Sequence, residues 1–390
     1  MRASFWAVLV ACFSLAIGGD QRLLAQSPVT SPKSDVQSDL SAALSAEEWN
    51  CVDAGVDRAL TWLAAQQSPD GSFPTLPAGQ PAVSSLCVLA FLSCGHQPGV
   101  GPYGERMNRA IDFVLDCQQP SGLFSLATPE SQHVHLGASH AATYNHAIAG
   151  LMLAEVYGQV SPERSTRITA AVNKALRITA RLQVDPTKDD PNDRGGWRYL
   201  WKPGSHTPSD SDLSVTGWHL MFLRSAKNAQ FDVPDEMVRE GVQYVERCFD
   251  PDQGGFAYGL IGVDRHVSRG TMGIGALSLA LGGKHQTDMA RRVGDWLLQH
   301  PFDVYGQTNG REDRFHYSAY YCSNAMAQLG GRHWRAVFPN IARTLLENQS
   351  PDGSWAAESG QDAVFGSAYP TALSVLTLTP AYQLLPIYQR

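Results

Sequence analysis

Two kinds of apolar pattern alternate along the chain from residue 45 onward. In the first kind, apolar residues recur at helical spacing between charged residues, as at Val56, Leu60 and Leu63. This spacing predicts amphipathic helices that bury one face and expose the other to water. The second kind carries almost no charge, as in VSSLCVLAFLSCG from Val83. These segments predict helices that are buried on nearly every side.

The two kinds of helix come in pairs. Amphipathic segments begin near residues 46, 103, 161, 234, 285 and 332, and each precedes an uncharged segment. The uncharged segments begin at Val83, Ala141, Leu213, Thr271, Tyr317 and Pro370. An outer ring of amphipathic helices around an inner ring of uncharged helices would bury both kinds. We therefore expect an all-α fold of six helical hairpins closed into a barrel. Strands should be scarce, because no convincing period-two alternation occurs.

A short motif marks the ends of the outer helices. QSPDGSF at residues 67–73 and QSPDGSW at residues 349–355 differ at one position, and related forms occur at residues 118–124 (QQPSGLF), 250–256 (DPDQGGF) and 195–197 (GGW). The fifth hairpin lacks a copy. The glycine suits a left-handed turn, and the glutamine can bond free backbone groups while the aromatic packs against the hairpin. Repetition at successive joints predicts a structural role, with ligand stacking by the aromatics as the alternative.

The N-terminal residues 1–25 have the features of a secretory signal peptide. Arg2 precedes an apolar run from Phe5 to Ile17 that is too short to span a bilayer comfortably. An uncleaved anchor and lipidation at Cys12 are the alternatives. We expect an exported protein, periplasmic or extracellular, with no transmembrane segment after signal cleavage.

A polar leader separates this signal from the folded part of the chain. Residues 26–44 are rich in Ser, Pro and Asp and predict a flexible leader. The capping box Ser45-Ala46-Glu47-Glu48 then predicts the first helix, so that residues 45–390 form a single domain.

Composition and charge exclude some classes of partner. The chain has 390 residues, of which 43% are hydrophobic and 17% are charged. A chain of this length and composition can bury a large core. Its net charge of −7, without a basic stripe, argues against nucleic acid and anionic membranes as partners. Cys12 lies in the signal, and the six remaining cysteines lack zinc spacing and are expected to be mostly buried hydrophobic residues.

The repeated pattern Q-x-x-x-G-x-[FW] resembles the QW-type repeat of terpenoid cyclases, including squalene cyclases, and of the protein prenyltransferase beta-subunit family. The resemblance covers most of residues 46–390 and implies their α/α toroid. GGWRY at 195–199, SDSDLSVTGW at 209–218 and YPTALSVLTL at 369–378 are similar to phrases in exported bacterial proteins, many from planctomycetes, with prenyltransferase and squalene-oxidase-type repeats.

The terpenoid cyclase resemblance implies an acid site. Class II cyclases use a D-x-D-D motif in which a carboxylic acid is held protonated in an apolar cavity. The corresponding residues here are Asp210-Ser211-Asp212-Leu213, so the third acid is replaced by leucine. The resemblance makes Asp212 the proton donor and Asp210 its partner. The alternative is that these residues cap the following helix.

Histidines supply further candidates. His316, in Phe315-His316-Tyr317, resembles the histidine that ligates zinc in prenyltransferases, but the matching D-x-C is absent, so we assign no metal and no other cofactor. His133, His135, His140 and His146 could form a metal or substrate site. Exposed loop positions for His133 and His135, and a core position for His146, are the alternatives.

Aromatic residues on the inner helices predict the lining of a central cavity. The candidate ligand-binding residues are Tyr144, His146, Trp218, Tyr317, Tyr320 and Tyr321. Aromatic faces would stabilise carbocations or hold an apolar chain, as the resemblance requires. Plain core packing is the alternative.

Three classes of function follow. The first is a toroid that binds an isoprenoid or other apolar small molecule, with the cyclase- or isomerase-like activity that the resemblance implies. The second is a non-catalytic binding or scaffold protein with a degenerate acid motif. The third is a glycan lyase or hydrolase, which would need paired carboxylates across a cleft and aromatic sugar platforms. The sequence leaves the oligomeric state open.

Overall fold

The computed structural model describes residues 32–129, 138–185, 188, 190–200, 210–306, 313–357 and 360–389. The α-helices in these ranges are α1 (Pro32–Ser41), α2 (Ala46–Gln66), α3 (Ala82–Ser93), α4 (Gly104–Asp116), α5 (Ala138–Val156), α6 (Pro162–Gln183), α7 (Leu213–Asn228), α8 (Asp235–Arg247), α9 (Arg269–Leu281), α10 (Asp288–Gln299), α11 (Phe315–Leu329), α12 (Gly331–Glu347) and α13 (Ala368–Leu378). The strands are β1 (Phe249–Asp250) and β2 (Gly255–Phe256), which pair antiparallel.

Twelve of these helices form two concentric rings. The even-numbered helices from α2 to α12 are the amphipathic outer ring, and the odd-numbered helices from α3 to α13 are the inner ring. Inner neighbours pack in chain order, and α13 packs against α3 to close the ring. The predicted all-helical toroid of six hairpins is therefore confirmed. Across the described residues, no helix is both long enough and apolar enough to cross a membrane.

Small residues allow the inner helices to approach closely. A Cβ atom added to Gly273 of α9 would lie 2.7 Å from the backbone nitrogen of Cys322 in α11. One added to Gly217 of α7 would lie 2.5 Å from the side chain of Ile274. Real Cβ atoms do not pack this closely, so a larger residue at either position would push the inner helices apart.

At two successive joints the repeated motif bonds one outer helix to the next. Gln67 Nε2 donates to Gly71 O at 3.0 Å, within its own turn, and to Arg106 O of α4 at 2.8 Å. Gln118 makes the same two bonds, to Gly122 and to Ala171 of α6. The glycine is required, since Gly71 has a φ of +92° and a Cβ there would lie 2.3 Å from Arg109 O. The predicted structural role of the motif is confirmed.

The last joint closes the ring. Gln349 Nε2 donates to Gly353 O and to Gly55 O of α2, both at 2.8 Å. The end of the last outer helix is thereby bonded to the first outer helix. The joint repeated along the chain is thus the contact that seals the barrel.

Two joints differ from the sequence pattern. At the third, Gln183 donates to Gly195 O and to Met237 O of α8, both at 2.9 Å, although an insertion separates it from the Gly-Gly-Trp segment. At the fourth, Asp250 replaces the glutamine and accepts from Arg265 Nη2 at 2.7 Å.

The fifth connection, which lacks the motif, is held by a buried ion pair. Arg269 Nε lies 2.7 Å from Asp313 Oδ2, and both side chains are fully buried. The Arg269 guanidinium also lies 4.1 Å from the ring centre of Phe302, and it donates to Pro301 O at 3.0 Å. A charge pair with a cation–π contact therefore ties inner helix α9 to Pro301, Phe302 and Asp313 of the fifth connection.

The predicted flexible leader, residues 26–44, is wrong for Pro32–Ser41, which form α1. Leu40 of this helix is fully buried, and Trp334 Nε1 donates to Leu40 O at 2.8 Å. Asp39 Oδ2 accepts from Gly331 N at 2.8 Å. These contacts are with distant parts of the chain, so composition could not predict them. Residues 1–31, with the predicted signal and Cys12, lie outside the described residues.

The capping box that begins the barrel is confirmed. Ser45 N donates to Glu48 Oε2 at 2.8 Å, and Glu48 N donates to Ser45 Oγ at 3.2 Å. Of the six cysteines that the structure describes, all are free thiols and five are buried, with Cys51 exposed. The lack of zinc-ligand spacing among these cysteines predicted that most of them would be buried as small apolar side chains.

The C-terminal segment covers the end of the barrel where the inner helices finish. Gln328 Nε2 of α11 donates to Tyr388 O at 2.6 Å, and Ile387 N donates to Glu155 Oε2 of α5 at 3.5 Å. Ser225 Oγ donates to the other oxygen of Glu155. Glu155 is buried, and this burial raises its pKa to about 7. The barrel is therefore filled at this end.

We expect Gln349→Glu to destabilise the protein by about 2 kcal/mol, because a carboxylate cannot donate to the two carbonyl oxygens that the amide bonds. Urea denaturation measures the change. Gln299→Glu is the matched control, since Gln299 ends α10, is exposed and belongs to the joint without the motif. An equal loss in both variants would show that the joint does not hold the ring.

Glu155 gives a second prediction. Its folded-state pKa is raised, so the folded state binds the extra proton, and its stabilising contribution is lost as pH rises from the unfolded value toward 7. Relative to the wild type, Glu155→Gln should therefore gain about 2 kcal/mol of unfolding free energy between pH 5 and pH 8. Denaturation at both pH values tests this, with exposed Glu47→Gln as the control. A constant difference between wild type and variant would contradict it.

Candidate functional site

A cavity of about 610 Å³ lies at the N-terminal ends of the inner helices. All six inner helices contribute first-turn residues to it, among them Ala82, Ala141, Ser214, Gly270, Tyr317 and Tyr369. The positive ends of six helix dipoles are thus directed at one space. Val263 also lines the cavity and is 79% exposed, so solvent reaches the cavity at this loop.

The wall changes in character with depth. The deeper wall, one or more turns along the inner helices, is formed mainly by the apolar residues Leu86, Ile148, Trp218 and Ile274, with Asn145 as a polar residue at this depth. The loops and first turns contribute the polar and charged residues His140, Arg198, Tyr199, Tyr258, Asp264, His266 and Arg314. The cavity is therefore apolar inside and polar at its mouth.

The predicted aromatic residues divide into two groups. Tyr144, Trp218 and Tyr317 line the cavity. Tyr320 and Tyr321 are described but are not among the lining residues. They lie behind Trp218, whose ring stacks on Tyr320 at 5.6 Å and meets Tyr321 edge-on at 5.4 Å. They support the wall and do not form it.

His146 is a structural residue of the second joint. Its Nδ1 accepts from Phe124 N at 3.3 Å, and its Nε2 lies 3.2 Å from Ala175 O. At three other joints the closing aromatic donates in the same way to a hydroxyl of an inner helix, at Ser84, Thr216 and Thr371. Burial lowers the pKa of His146 to about 4, which keeps the ring neutral and Nδ1 able to accept.

The remaining histidine candidates are dispersed. His140 lines the cavity and stacks on Tyr199 with ring centres 3.7 Å apart, whereas His133 and His135 lie outside the described residues. His316 is buried between α11 and α13, with Nε2 2.9 Å from Tyr305 OH and Nδ1 2.9 Å from Ser374 Oγ. Burial lowers its pKa to about 3. Among the described residues, no three His, Cys, Asp or Glu side chains converge as metal ligands.

Asp212 begins α7 as a cap. Its Oδ1 accepts from Val215 N at 2.7 Å, so the capping interpretation of this residue is confirmed. The side chain is fully buried and is not among the lining residues of the cavity. Burial, reinforced by Asp264, raises its pKa to about 6, although Arg198 acts in the opposite direction.

Asp210 lies on the other side of this cap. Its backbone nitrogen donates to Asp193 Oδ2 at 2.5 Å, and Asp193 is itself fully buried. Asp210 is half-buried and does not line the cavity. The two acids of the sequence motif therefore face different surroundings.

Arg198 connects Asp212 to an acid that the sequence analysis missed. Its Nη1 lies 3.9 Å from Asp212 Oδ2, and its Nη2 lies 3.3 Å from Asp264 Oδ2. The guanidinium also packs over the rings of Tyr199 and Tyr258, 5.1 and 5.7 Å from their centres. We call Arg198, Asp212 and Asp264 the Arg198 cluster. No local motif marks Asp264, because it lies in the connection to the next hairpin.

The Arg198 cluster carries one cation and two carboxylates. Burial opposes the charged guanidinium, but Asp212, the neighbouring tyrosines and Asp264 outweigh it and raise the pKa of Arg198. One arginine cannot neutralise two buried carboxylates. Asp212 therefore holds a proton more readily than an ordinary aspartate, and Asp264 is the acid that faces the cavity.

The sequence comparison identifies the family. The model of the Prenyltransferase alpha-alpha toroid domain matches residues 36–189, 85–318 and 312–387. The chain belongs to the prenyltransferase alpha-alpha toroid domain family. No curated protein sequence matches that of this toroid.

Several solved structures are similar to the toroid. A variant of the type II terpene cyclase MstE from Scytonema, in complex with merosterolic acid A, is 17% identical with a TM-score of 0.54, covering 88% of this chain and 100% of its own. An unsaturated glucuronyl hydrolase specific for heparin is 11% identical with a TM-score of 0.59, covering 86% and 97%. The GH76A alpha-1,6-mannanase from Salegentibacter sp. HEL1_6 is 10% identical with a TM-score of 0.58, covering 86% and 99%. At these identities, the likeness shows the fold alone.

We expect Arg198→Met to cost about 3 kcal/mol of unfolding free energy at pH 8, because it leaves buried Asp212 without its cation. The loss should shrink at pH 5. Without Arg198 the folded-state pKa of Asp212 rises further, so the folded state gains by binding a proton as pH falls. Urea denaturation at both pH values measures this.

Two further variants serve as controls. Exposed Arg167→Met, which removes surface ion pairs with Asp112 and Asp116, should cost less than about 1 kcal/mol. Adding Asp212→Asn to Arg198→Met should restore part of the stability at pH 8. If Arg198→Met lost the same unfolding free energy at pH 5 as at pH 8, the account of the Arg198 cluster would be contradicted.

Proposed function

We propose that this toroid binds an isoprenoid, or an apolar small molecule of similar shape, in the cavity at the N-terminal ends of its inner helices. The observation that carries the proposal is the cavity itself. Its volume of about 610 Å³ is in the range of small-molecule sites, and its deeper wall is apolar and aromatic with polar groups at the mouth. An apolar chain would be buried against Leu86, Ile148 and Ile274, with the ring of Trp218 beside it.

Similarity to known proteins supports this ligand class. The toroid belongs to the prenyltransferase alpha-alpha toroid family, and a variant of MstE has been solved with geranylgeranyl dihydroxybenzoate as substrate. That ligand is a property of MstE, which is 16% identical to this chain. The agreement between family and cavity chemistry is why we prefer an isoprenoid to other apolar molecules.

Binding, and not a reaction, is the first function we propose. Cyclase or isomerase chemistry would need a proton delivered to the ligand, and Asp212 lies behind the cavity wall. Its raised pKa favours such chemistry, but its capping bond and its absence from the cavity lining favour a structural role. A binding or scaffold protein that keeps the toroid needs no proton donor. Product analysis with polyprenyl substrates separates the two.

The glycan alternative has less support. Two similar structures are glycan-active enzymes, at 10 and 11% identity. Glycoside hydrolysis commonly needs two carboxyl groups that face each other across the site. Among the described residues that line the cavity, Asp264 is the single carboxylate.

From the sequence alone we also propose that the protein is exported, as its N-terminal residues 1–25 and its resemblance to exported bacterial repeat proteins indicate. Fractionation of cells that express the full chain tests this. Recovery of the protein in the cytoplasm at full length would contradict it.

We expect isoprenoid lipids to co-purify with the protein and farnesol or geranylgeraniol to change the fluorescence of Trp218. Ala141→Phe should weaken binding at least about tenfold, because Ala141 lines the cavity and a phenyl ring at this position would occupy part of the space for the ligand. Ala42→Phe, at an exposed turn position directly after α1, is the control. Mass spectrometry and fluorescence titration are the measurements. Absence of both bound lipid and binding to the wild type would overturn the proposal.

A further inference from the structure

We propose that Asp264 is the carboxylate that contacts the ligand, and that the ligand carries a hydroxyl group that donates a hydrogen bond to it. This inference rests on the proposed function and names the polar group of its ligand. It assigns to Asp264 a role that the acid motif at Asp210 and Asp212 does not provide.

The position of Asp264 carries the first step. It lies in the connection from β2 to α9, lines the cavity and is 8% exposed. The backbone holds it in a short turn, in which Gly259 N donates to Asp264 O at 2.8 Å and Asp264 N donates to Ile261 O at 3.2 Å. Its Oδ2 is buried and accepts no hydrogen bond from the residues that the structure describes. That oxygen faces Arg198, whereas 11% of the side chain is accessible, so a ligand in the cavity would contact the other oxygen, Oδ1.

Arg198 orients this carboxylate from one side. Nη2 of Arg198 lies 3.3 Å from Asp264 Oδ2, and Nη1 donates to Ser211 O at 3.4 Å. Asp212 lies behind Arg198, at 3.9 Å from Nη1, and does not line the cavity. Asp212 is therefore a positioning residue, which acts on the ligand only through Arg198.

The charges of the cavity decide which polar group fits. Arg198 faces Asp212 and Asp264, and the other lining arginine, Arg314, has Nη1 3.2 Å from Asp362 Oδ1. Both cations are therefore offset by acids, and the Arg198 cluster carries two acids for one cation, so these acids oppose the attraction that the helix N-termini would give an anionic group. An ammonium group beside Asp264 would be repelled by Arg198 at close range. A neutral hydroxyl can donate to Asp264 and accept from Arg198, so it satisfies both.

The test compares geranylgeraniol with the matched hydrocarbon that lacks the hydroxyl group. We expect the wild-type protein to bind the alcohol at least about tenfold more tightly, as measured by fluorescence titration. Asp264→Leu, of similar size, should abolish this preference, which is read as the ratio of the two affinities so that a change common to both ligands cancels. Asp264→Asn should keep part of the preference, because its amide oxygen still accepts. Asp212→Asn should reduce the ratio of the two affinities, because the amide holds Arg198 less strongly than the carboxylate does.

The test has a control variant, and several outcomes would contradict the inference. Asp252→Leu removes an exposed carboxylate from the nearby β1–β2 turn and should leave the preference unchanged. Equal binding of alcohol and hydrocarbon by the wild type, or a preference that survives Asp264→Leu, would overturn this inference and leave the proposed function standing. Tighter binding of geranylgeranylamine than of the alcohol would overturn the hydroxyl assignment. Binding of none of these ligands would overturn the proposed function and this inference together.

Discussion

The inner helices have no face that water can solvate, and the rest of the structure depends on burying them. All twelve residues of α3 are buried, for example, and the other inner helices are nearly as enclosed. A ring of such helices needs a second ring that has both an apolar and a polar face, and the outer helices provide it. It also needs close contact between inner neighbours, which the glycines of α7 and α9 allow. The toroid is the arrangement that meets these needs together.

The joint between outer and inner helices also determines where the cavity lies. At each of four joints the closing aromatic donates its backbone N–H to an inner helix, at Ser84, His146, Thr216 and Thr371. At three of these joints the acceptor lies in the first turn of the inner helix, and at the second joint His146 lies two turns along α5, so the aromatic is tied to the N-terminal half of each helix. The loops and the helix N-termini consequently surround one space, while the C-terminal segment fills the opposite end. A structural repeat thus produces a single site.

Two buried arginines illustrate the difference between a structural charge and a functional one. Arg269 has Asp313 at 2.7 Å, and Ser318 Oγ donates to the other oxygen of that aspartate at 2.5 Å, so the pair is satisfied within the fold. Arg198 faces two acids, and each of them keeps a buried oxygen without a hydrogen bond among the described residues. An incompletely satisfied buried group is costly, and Asp264 of this cluster lines the cavity, where a ligand can reach its side chain. For that reason the Arg198 cluster, and not the Arg269 pair, is the candidate site.

The sequence by itself determined the twelve helices of the two rings, the joints and three of the cavity's aromatic residues, Tyr144, Trp218 and Tyr317. These follow from periodicity and turn chemistry, which act between residues close in the chain. Only the tertiary structure decided that α1 packs on the barrel, that Gln183 completes the third joint and that His146 serves the second. It alone brought Asp264 to Arg198 and set Tyr320 and Tyr321 behind the wall. Such contacts depend on how whole hairpins stack. They join residues that are far apart in the chain, and a local sequence pattern does not encode them.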